Sequence, residues 1–523
     1  MSDTGPASKT DPASHAITRF RPLVTAAEAY PVFERCVLNA ETEIRMSFRI
    51  FDLRTRLRSP EAQEIGETWF DLIAHTLRRG VAIHVVLADF DPIAATQLHF
   101  GTWRSVRQFA FLAEFAPVER LRVTAARHPA RVGFWPRLLG QAMLRGHLAT
   151  VIARVNAQPA MRRHRVILQL PGLRAYRSRD AMRLERKWHL PQLYPATHHQ
   201  KLAVFDGAQL YIGGLDLDER RFDTPKHQRS APQTWQDVQA LVEGPVVAAA
   251  QRHLESFVDV AENRRTPAPA ASGFLRTLSA RPLREGLRMA PATRTREIEA
   301  AHMSAAKQAE RLIYLETQFF RDRGFARTLA RRARTCPSLH LILLLPAAPD
   351  DVAFSGSQSA DARFGEFLQS RCLRILRRGF GSRLLLVSPA RPRQSDSDER
   401  DALADAPIIY VHSKVSVFDD SRAILSSANL NGRSLRWDTE AGLDLTHPDQ
   451  VATLRAAVMG AWLPKELGST ATAPDSAFGV WRDLALKNAE TAPEERRGLI
   501  VPHDPKPARI FGRPLPGVPD EIV

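Results

Sequence analysis

The pattern His-x-Lys-x4-Asp occurs twice in this chain, at His199/Lys201/Asp206 and His412/Lys414/Asp419, with the two histidines 213 residues apart. The chain has 17 His and only 9 Lys in 523 residues, so independent placement would supply only about 0.02 such matches. The agreement continues past each motif. Gly213-Gly214-Leu215-Asp216 lies 14 to 17 residues after His199, and Ser426-Ser427-Ala428-Asn429 lies at the same offsets after His412. Each motif reads as a strand, on which side chains two apart share a face. His and Lys therefore point into one space, and each Asp lies at the strand end, where a turn begins.

The elements around the motifs also run in parallel. In the first half a strand is expected over 43–51, a helical stretch over 61–79 ending at Gly80, and a buried strand over 81–87. In the second, a helix at 297–310 leads to a strand at 312–315. A helix at 324–334 leads to a strand at 339–345, and a helix at 360–378 to a strand at 384–387. Strands alternating with helices give an α/β class: two fused α/β/α-layered halves forming a pseudo-dimer around one active site. The expected divisions are a polar lead-in and first helix (1–38), a first half (39–262) with a basic insertion at about 101–197, a linker (263–293), a second half (294–467) and a Pro-rich tail (468–523). The linker is expected to lack a core pattern, and the tail to be an extended strap or a partly disordered end.

The net charge is +16, and residues 101–197 hold 18 Arg and Lys against 4 Asp and Glu. Such a zone attracts polyanions or an anionic membrane surface. In an arginine-biased chain, with 64 Arg to 9 Lys, it can equally be a set of solvated helix faces. Within it, Leu138, Leu139, Ala142, Leu148 and Ile152 can share one side of an amphipathic stretch from Trp135 to Val155, with Arg137, Arg145 and Arg154 elsewhere. Such a helix packs on its own domain more commonly than it lies on a membrane. Cys36, Cys336 and Cys372 are odd in number and far apart, which argues against a disulfide framework or a zinc site. No apolar run reaches bilayer length, and residues 1–15 lack the apolar centre of a secretory leader. The expected location is cytoplasmic with peripheral membrane association, or export by a leaderless route.

With these residues in view, the chain resembles the phospholipase D superfamily, in which two such motifs serve one site. The run from His198 to Val242, with Gly213-Gly214-Leu215-Asp216-Leu217, Arg221-Phe222-Asp223-Thr224-Pro225 and Trp235-Gln236-Asp237-Val238, is similar to the phospholipases more than to the nuclease branch. Ile313 to Phe320 and Ser427 to Ser434 resemble further blocks of that group. Two departures stand out: Ser426 where Gly is usual, and Thr317 where Asn is usual. The resemblance implies a metal-independent, cofactor-free phosphodiesterase. His199 is the nucleophile that becomes phosphohistidine, and His412 is the general acid and then the general base. Lys201, Lys414 and Asn429 hold the non-bridging oxygens. Asp206 and Asp419 are expected to set strand-end geometry. Asp237 and Glu440 match the family's acids, one to each histidine in an order left open, with Asp438 a rival to Glu440.

The expected reaction is hydrolysis of a glycerophospholipid such as phosphatidylcholine to phosphatidic acid and the headgroup alcohol, with transfer to an alcohol as a variant. Cardiolipin synthase-like phosphatidyl transfer, a metal-independent nuclease and a catalytically weak membrane-binding protein stand as alternatives. The expected partner is phospholipid at an anionic membrane surface, with nucleic acid second, and the expected assembly is a monomer with an internal pseudo-dimer.

Overall fold

Short strands rich in Val, Ile and Leu need an apolar layer on each face, and the structure supplies such layers twice. The computed structural model describes residues 16–188, 191–283, 286 and 289–523, with no side-chain description for residues 142 and 143. The lead-in from Met1 to His15 lies outside the described residues. The first sheet comprises β1 (Arg19–Val24), β2 (Glu43–Phe48), β3 (Ala82–Asp89), β4 (Leu121–Arg127), β5 (Leu202–Phe205), β6 (Gln209–Gly213) and β7 (Val238–Glu243), in the order β1-β7-β6-β5-β2-β3-β4. The second comprises β8 (Phe274–Ala280), β9 (Ala292–Arg296), β10 (Leu312–Thr317), β11 (His340–Leu344) and β12 (Leu384–Pro389), then β15 (Lys414–Phe418), β16 (Arg422–Ser426), β17 (Glu440–Leu445) and β18 (Ile500–Pro502). A small hairpin of β13 (Ala402–Leu403) and β14 (Ala406–Pro407) stands apart from it.

The second sheet runs β18-β12-β11-β10-β15-β16-β17-β8-β9. Its inner seven strands repeat the first sheet strand for strand, down to pairing sense. β2/β3/β4 and β10/β11/β12 are parallel, while β5 and β15 each pair antiparallel with the first of those sets. Helices repeat as well: Ala26–Asn39 matches Glu297–Gln308, and Val246–Ala261 after β7 matches Pro448–Gly460 after β17.

The period-two pattern sorts side chains between cores. Leu202 and Val204 of β5 join a core shared by both halves, which also contains Phe257, Val415, Val417, Leu443 and Trp462. Ala203 and Phe205 face an outer core with Phe33, Phe48, Trp69 and Tyr211. On the far side Phe418, Ile313, Leu315 and Phe325 form the matching outer core. Each fully buried large apolar side chain contributes about 1.5–3 kcal/mol, so the shared core welds the two halves into one body.

Four expectations need correction. The segment 263–293 contains β8, whose seven residues are all buried and which pairs with β17 as β1 pairs with β7. The repeating unit thus begins at β1 and at β8, ahead of both expected boundaries. Arg276 disguised this strand, but Glu297 neutralises its buried guanidinium at 2.6 Å. The tail holds a helix (Ala477–Glu490) and β18, which extends the sheet along β12. Its prolines misled because they sit where no amide donor is required: Pro502 ends an edge strand and Pro507 lies in the first turn of helix Lys506–Phe511. The insertion begins only after β4, because helix Thr96–Phe111 and β4 are part of the sheet layer. Finally, the stretch 61–79 is two helices, Pro60–Gln63 and Trp69–Arg78, the second started by a Thr68/Asp71 capping box. All three cysteines are free, and no helix among the described residues is long and apolar enough to cross a membrane.

Candidate active site

Each motif histidine is held by backbone from the opposite half. His199 and Gln200 donate their amides to the Thr439 carbonyl at 2.8 and 3.0 Å, and His412 and Ser413 donate theirs to the Gln236 carbonyl at 2.8 and 3.1 Å. Return bonds run from Thr439 N to Thr197 O (2.9 Å) and from Gln236 N to Tyr410 O (2.8 Å). Thr439 and Gln236 each directly precede an acid, so these bonds deliver that acid across the interface. Asp237 Oδ2 lies 2.6 Å from His412 Nδ1, and Glu440 Oε1 lies 3.0 Å from His199 Nδ1. The acid of each half orients the histidine of the other. Asp438, the rival to Glu440, instead accepts the Thr197 amide at 2.7 Å and pairs with Arg433 at 3.1 Å.

The lysines complete the cluster. Lys201 Nζ lies 3.2 Å from His199 Nε2 and donates to the His199 carbonyl. Lys414 Nζ lies 3.0 Å from His412 Nδ1 and donates to the His412 carbonyl. Both lysines are buried; of the two histidine side chains, His199 keeps 12% exposure and His412 only 3%. Burial first, then the nearby lysines, hold both imidazoles well below the ordinary histidine pKa. Burial also lowers Lys201, and lowers Lys414 to about 7. It raises Asp237, and raises Glu440 to about 8 against the pull of Lys201. Burial thus disfavours the charged form of each acid and of the imidazole it faces. With its proton on Nδ1 toward Glu440, His199 keeps a free lone pair on Nε2, the state a nucleophile needs.

Small residues make room for the acids. A Cβ on Gly214 would sit 2.1 Å from Asp237 Oδ1. Its counterpart Ser427 instead donates its hydroxyl to Glu440. One strand pair over, Gly213 faces Gln239 in the first half and Ser426 faces Gly442 in the second. A Cβ on Gly442 would meet that of Ser426 at 2.5 Å. Ser426 is thus accommodated by a glycine on its partner strand, and the pair keeps one small member.

The remaining expected residues separate into two groups. Asn429 is buried with its Oδ1 unbonded among the described residues, and its Nδ2 donates to Gln318 Oε1 at 3.3 Å. Asp206 and Asp419 lie at the far ends of β5 and β15, away from the histidines. Each adopts a left-handed φ of 51°. Asp206 accepts the amides of Glu41, Thr42 and Glu43, and Asp419 those of Glu310, Arg311 and Leu312. They fasten turns and touch neither histidine.

Several neighbours carried no readable role in the sequence. The Trp235 ring lies 4.5 Å from that of His412, and the Arg221 guanidinium stacks on Trp235 at 3.5 Å. Arg221 is 7% exposed, and its Nε and Nη1 have no hydrogen bond among the described residues. Glu316 holds the Ser413 hydroxyl from behind the second motif, itself bound by Tyr314 and Trp462. Trp235 and Arg221 fall in blocks that stand out in the sequence, yet their spacing says nothing of a stack over a histidine 177 or more residues away.

No family model matches the chain. Among curated proteins it is 22% identical to phospholipase D alpha 1 of Ricinus communis over 378 residues, covering 50% of this chain and 47% of that protein. It is 24% identical to phospholipase D alpha 1 of Vigna unguiculata over 404 residues, covering 55% and 48%. The chain thus spans about half the length of the curated relatives it matches. Among solved structures it is similar to phosphatidylserine synthase of Haemophilus influenzae Rd KW20, with a TM-score of 0.49 and 14% identity, over 91% of this chain and 95% of that one.

Proposed function

We propose that this chain, a member of the phospholipase D superfamily, hydrolyses a glycerophospholipid to phosphatidic acid and the free headgroup alcohol through a phosphohistidine. The crossed pairing of His199 with Glu440 and of His412 with Asp237 carries the reading, because it equips two imidazoles for opposite roles on one phosphate. His199 Nε2 attacks phosphorus and the bond to the headgroup oxygen breaks, while His412, which enters the step with a proton on Nε2 and Asp237 at its Nδ1, gives that Nε2 proton to the departing oxygen. His412 then takes a proton from water, and the hydroxide oxygen displaces His199. Lys201, Lys414 and Asn429 hold the non-bridging oxygens as charge builds. Assigning the attack to His199 is supported by its residual exposure, while His412 lies under Trp235.

An alcohol in place of water gives transphosphatidylation, and phosphatidylglycerol as acceptor would give a cardiolipin-type product by the same steps. The substrate is met at an anionic membrane surface, on which the protein sits peripherally. The test incubates the protein, without added metal, with vesicles of phosphatidylcholine, vesicles of phosphatidylglycerol, and single-stranded DNA. Choline release with phosphate trapped on His199 is the expected result. Cardiolipin formation would reassign it as a transferase, and cut DNA beside intact lipid would make it a nuclease. Phosphate on any residue other than His199 or His412 would sink the mechanism.

A further inference from the structure

The connection that precedes each motif has the same start and finish in both halves but not the same size. From β12 to His412 it takes 22 residues; from β4 to His199 it takes 71. The extra chain leaves and re-enters beside the candidate site: the His128 ring lies 5.2 Å from that of His198, next to His199. It is a built subdomain with its own small core, in which Leu148, Ile152, Ile167, Leu173 and Tyr176 pack on Ile93. Buried Asp91 clamps its root by accepting the amides of Ile93, Ala94 and Tyr194. The apolar side of helix Gln141–Asn156 is used up in that core, as Leu148 and Ile152 show.

What remains outside is unusual. Phe134, Trp135, Leu139 (89% exposed) and Trp188 (94% exposed) protrude, with Leu283 (89% exposed) from an adjoining loop. That loop is joined to the patch where Trp135 donates its amide to Gly286, and Arg137 ties the same short helix to Pro191, three residues beyond Trp188. Residues 128–195 hold 13 Arg and Lys against 2 Asp and Glu, a net of +11 in a chain of net +16. Nine of those arginines, Arg145, Arg162, Arg165 and Arg186 among them, are exposed and form no ion pair among the described residues. Aromatic and aliphatic side chains left in water on a segment whose exposed arginines form no ion pair match one surface in particular. The headgroup layer of an anionic bilayer offers phosphates to the arginines and an apolar interior to the rings.

We propose that residues 128–188, with Leu283, form a docking surface for anionic phospholipid bilayers that sets the mouth of the site against the membrane. This rests on the phospholipid reading above. The test uses the full chain and vesicles of phosphatidylglycerol and phosphatidylcholine, against vesicles of phosphatidylcholine alone, in low and high salt. Cosedimentation with the anionic vesicles in low salt, weakened by salt, with a blue shift of tryptophan emission, is the expected result. The triple variant Trp135→Ala/Leu139→Ala/Trp188→Ala should lose at least tenfold in vesicle binding and in turnover of vesicle lipid. Its turnover of a short-chain lipid dissolved as monomers should equal that of the parent. Charge reversal by Arg162→Glu/Arg165→Glu, on an exposed helix, should weaken vesicle binding without touching the apolar patch. Unchanged binding in both variants overturns the surface. So does binding of single-stranded DNA in place of vesicles, or a dimer that the triple variant abolishes while no vesicle binds. Vesicle binding without turnover of monomeric lipid in the parent protein counts against the reaction and leaves the surface standing.

Discussion

Glu440 reaches across the interface between the halves to place its carboxylate 3.0 Å from Nδ1 of His199, 241 residues away in the chain. Asp237 does the same for His412 at 2.6 Å over 175 residues. Neither half alone therefore holds a correctly oriented histidine. Replacing either acid by its amide keeps the volume but removes the carboxyl group that faces Nδ1 and sets its tautomer. Glu440→Gln and Asp237→Asn should each lower kcat/KM by about 10²–10⁴-fold. In single-turnover quench experiments, Glu440→Gln should slow appearance of the phosphoenzyme. Asp237→Asn, by disabling the acid and base, should slow departure of the alcohol and decay of the intermediate. Equal and small effects on both steps would show that the pairs are merely structural.

The pH dependence follows from the same burial. His199 is held well below the usual histidine range by desolvation and by Lys201. It is neutral, and able to attack, at every pH above that lowered value, so the acid limb of kcat/KM should fall below pH 6.5. Lys414 is brought down to about 7, chiefly by burial. It loses its charge as pH rises through that value, and with the charge goes affinity for the phosphate. A basic limb near 7 is expected in kcat/KM measured on a soluble short-chain substrate. Lys414→Arg, which stays charged, should move that limb upward by more than one pH unit even if its absolute rate is low.

Gly214 owes its identity to the acid rather than to backbone freedom. Its missing Cβ is the space that Asp237 Oδ1 occupies. Gly214→Ala should push the carboxylate off His412 and cost about 10²-fold or more in kcat, with a loss of stability of only about 1–3 kcal/mol. Ser427→Gly at the equivalent place removes a hydroxyl that Glu440 accepts and creates no clash, so its effect on kcat should be the smaller one. The comparison of the two in steady-state kinetics and chemical denaturation checks the claim.

How much could be read beforehand depended on the range over which each feature is encoded. The paired motifs and the α/β halves were legible because a catalytic cluster demands particular residue types at fixed short offsets. Their strands also show plain apolar runs. The crossing of Asp237 and Glu440 was not legible, since it arises from backbone bonds between segments far apart in sequence. β8 hid because a buried Arg276 needs Glu297, 21 residues on, to be tolerable in a core. β18 hid because prolines normally signal the end of regular structure, while an edge strand accepts them. The Arg221–Trp235–His412 stack is tertiary from end to end. Ser426 looked like a defect in isolation and becomes ordinary once Gly442 is seen opposite it.

The aspartates at the seventh position of each motif give the sharpest separation between stability and chemistry. Asp206 sits in a left-handed turn and accepts three consecutive backbone amides, and Asp419 repeats this in the second half. Those hydrogen bonds keep the Asp206 carboxyl below its ordinary value even though desolvation opposes them. A carboxyl whose folded pKa is depressed stabilises the fold above its unfolded pKa, and that contribution fades as pH falls through the folded value. Asp206→Ala should therefore lower stability at pH 7 by about 1–3 kcal/mol. The difference from the parent protein should shrink below about pH 3.8. Turnover per folded molecule at pH 7 should stay within about threefold of the parent protein, because the side chain touches no reacting group. His199→Ala should behave the opposite way, leaving the denaturation midpoint nearly in place while abolishing turnover. If Asp206→Ala instead lost activity at full stability, the seventh-position aspartate would belong to the chemistry rather than to the turn.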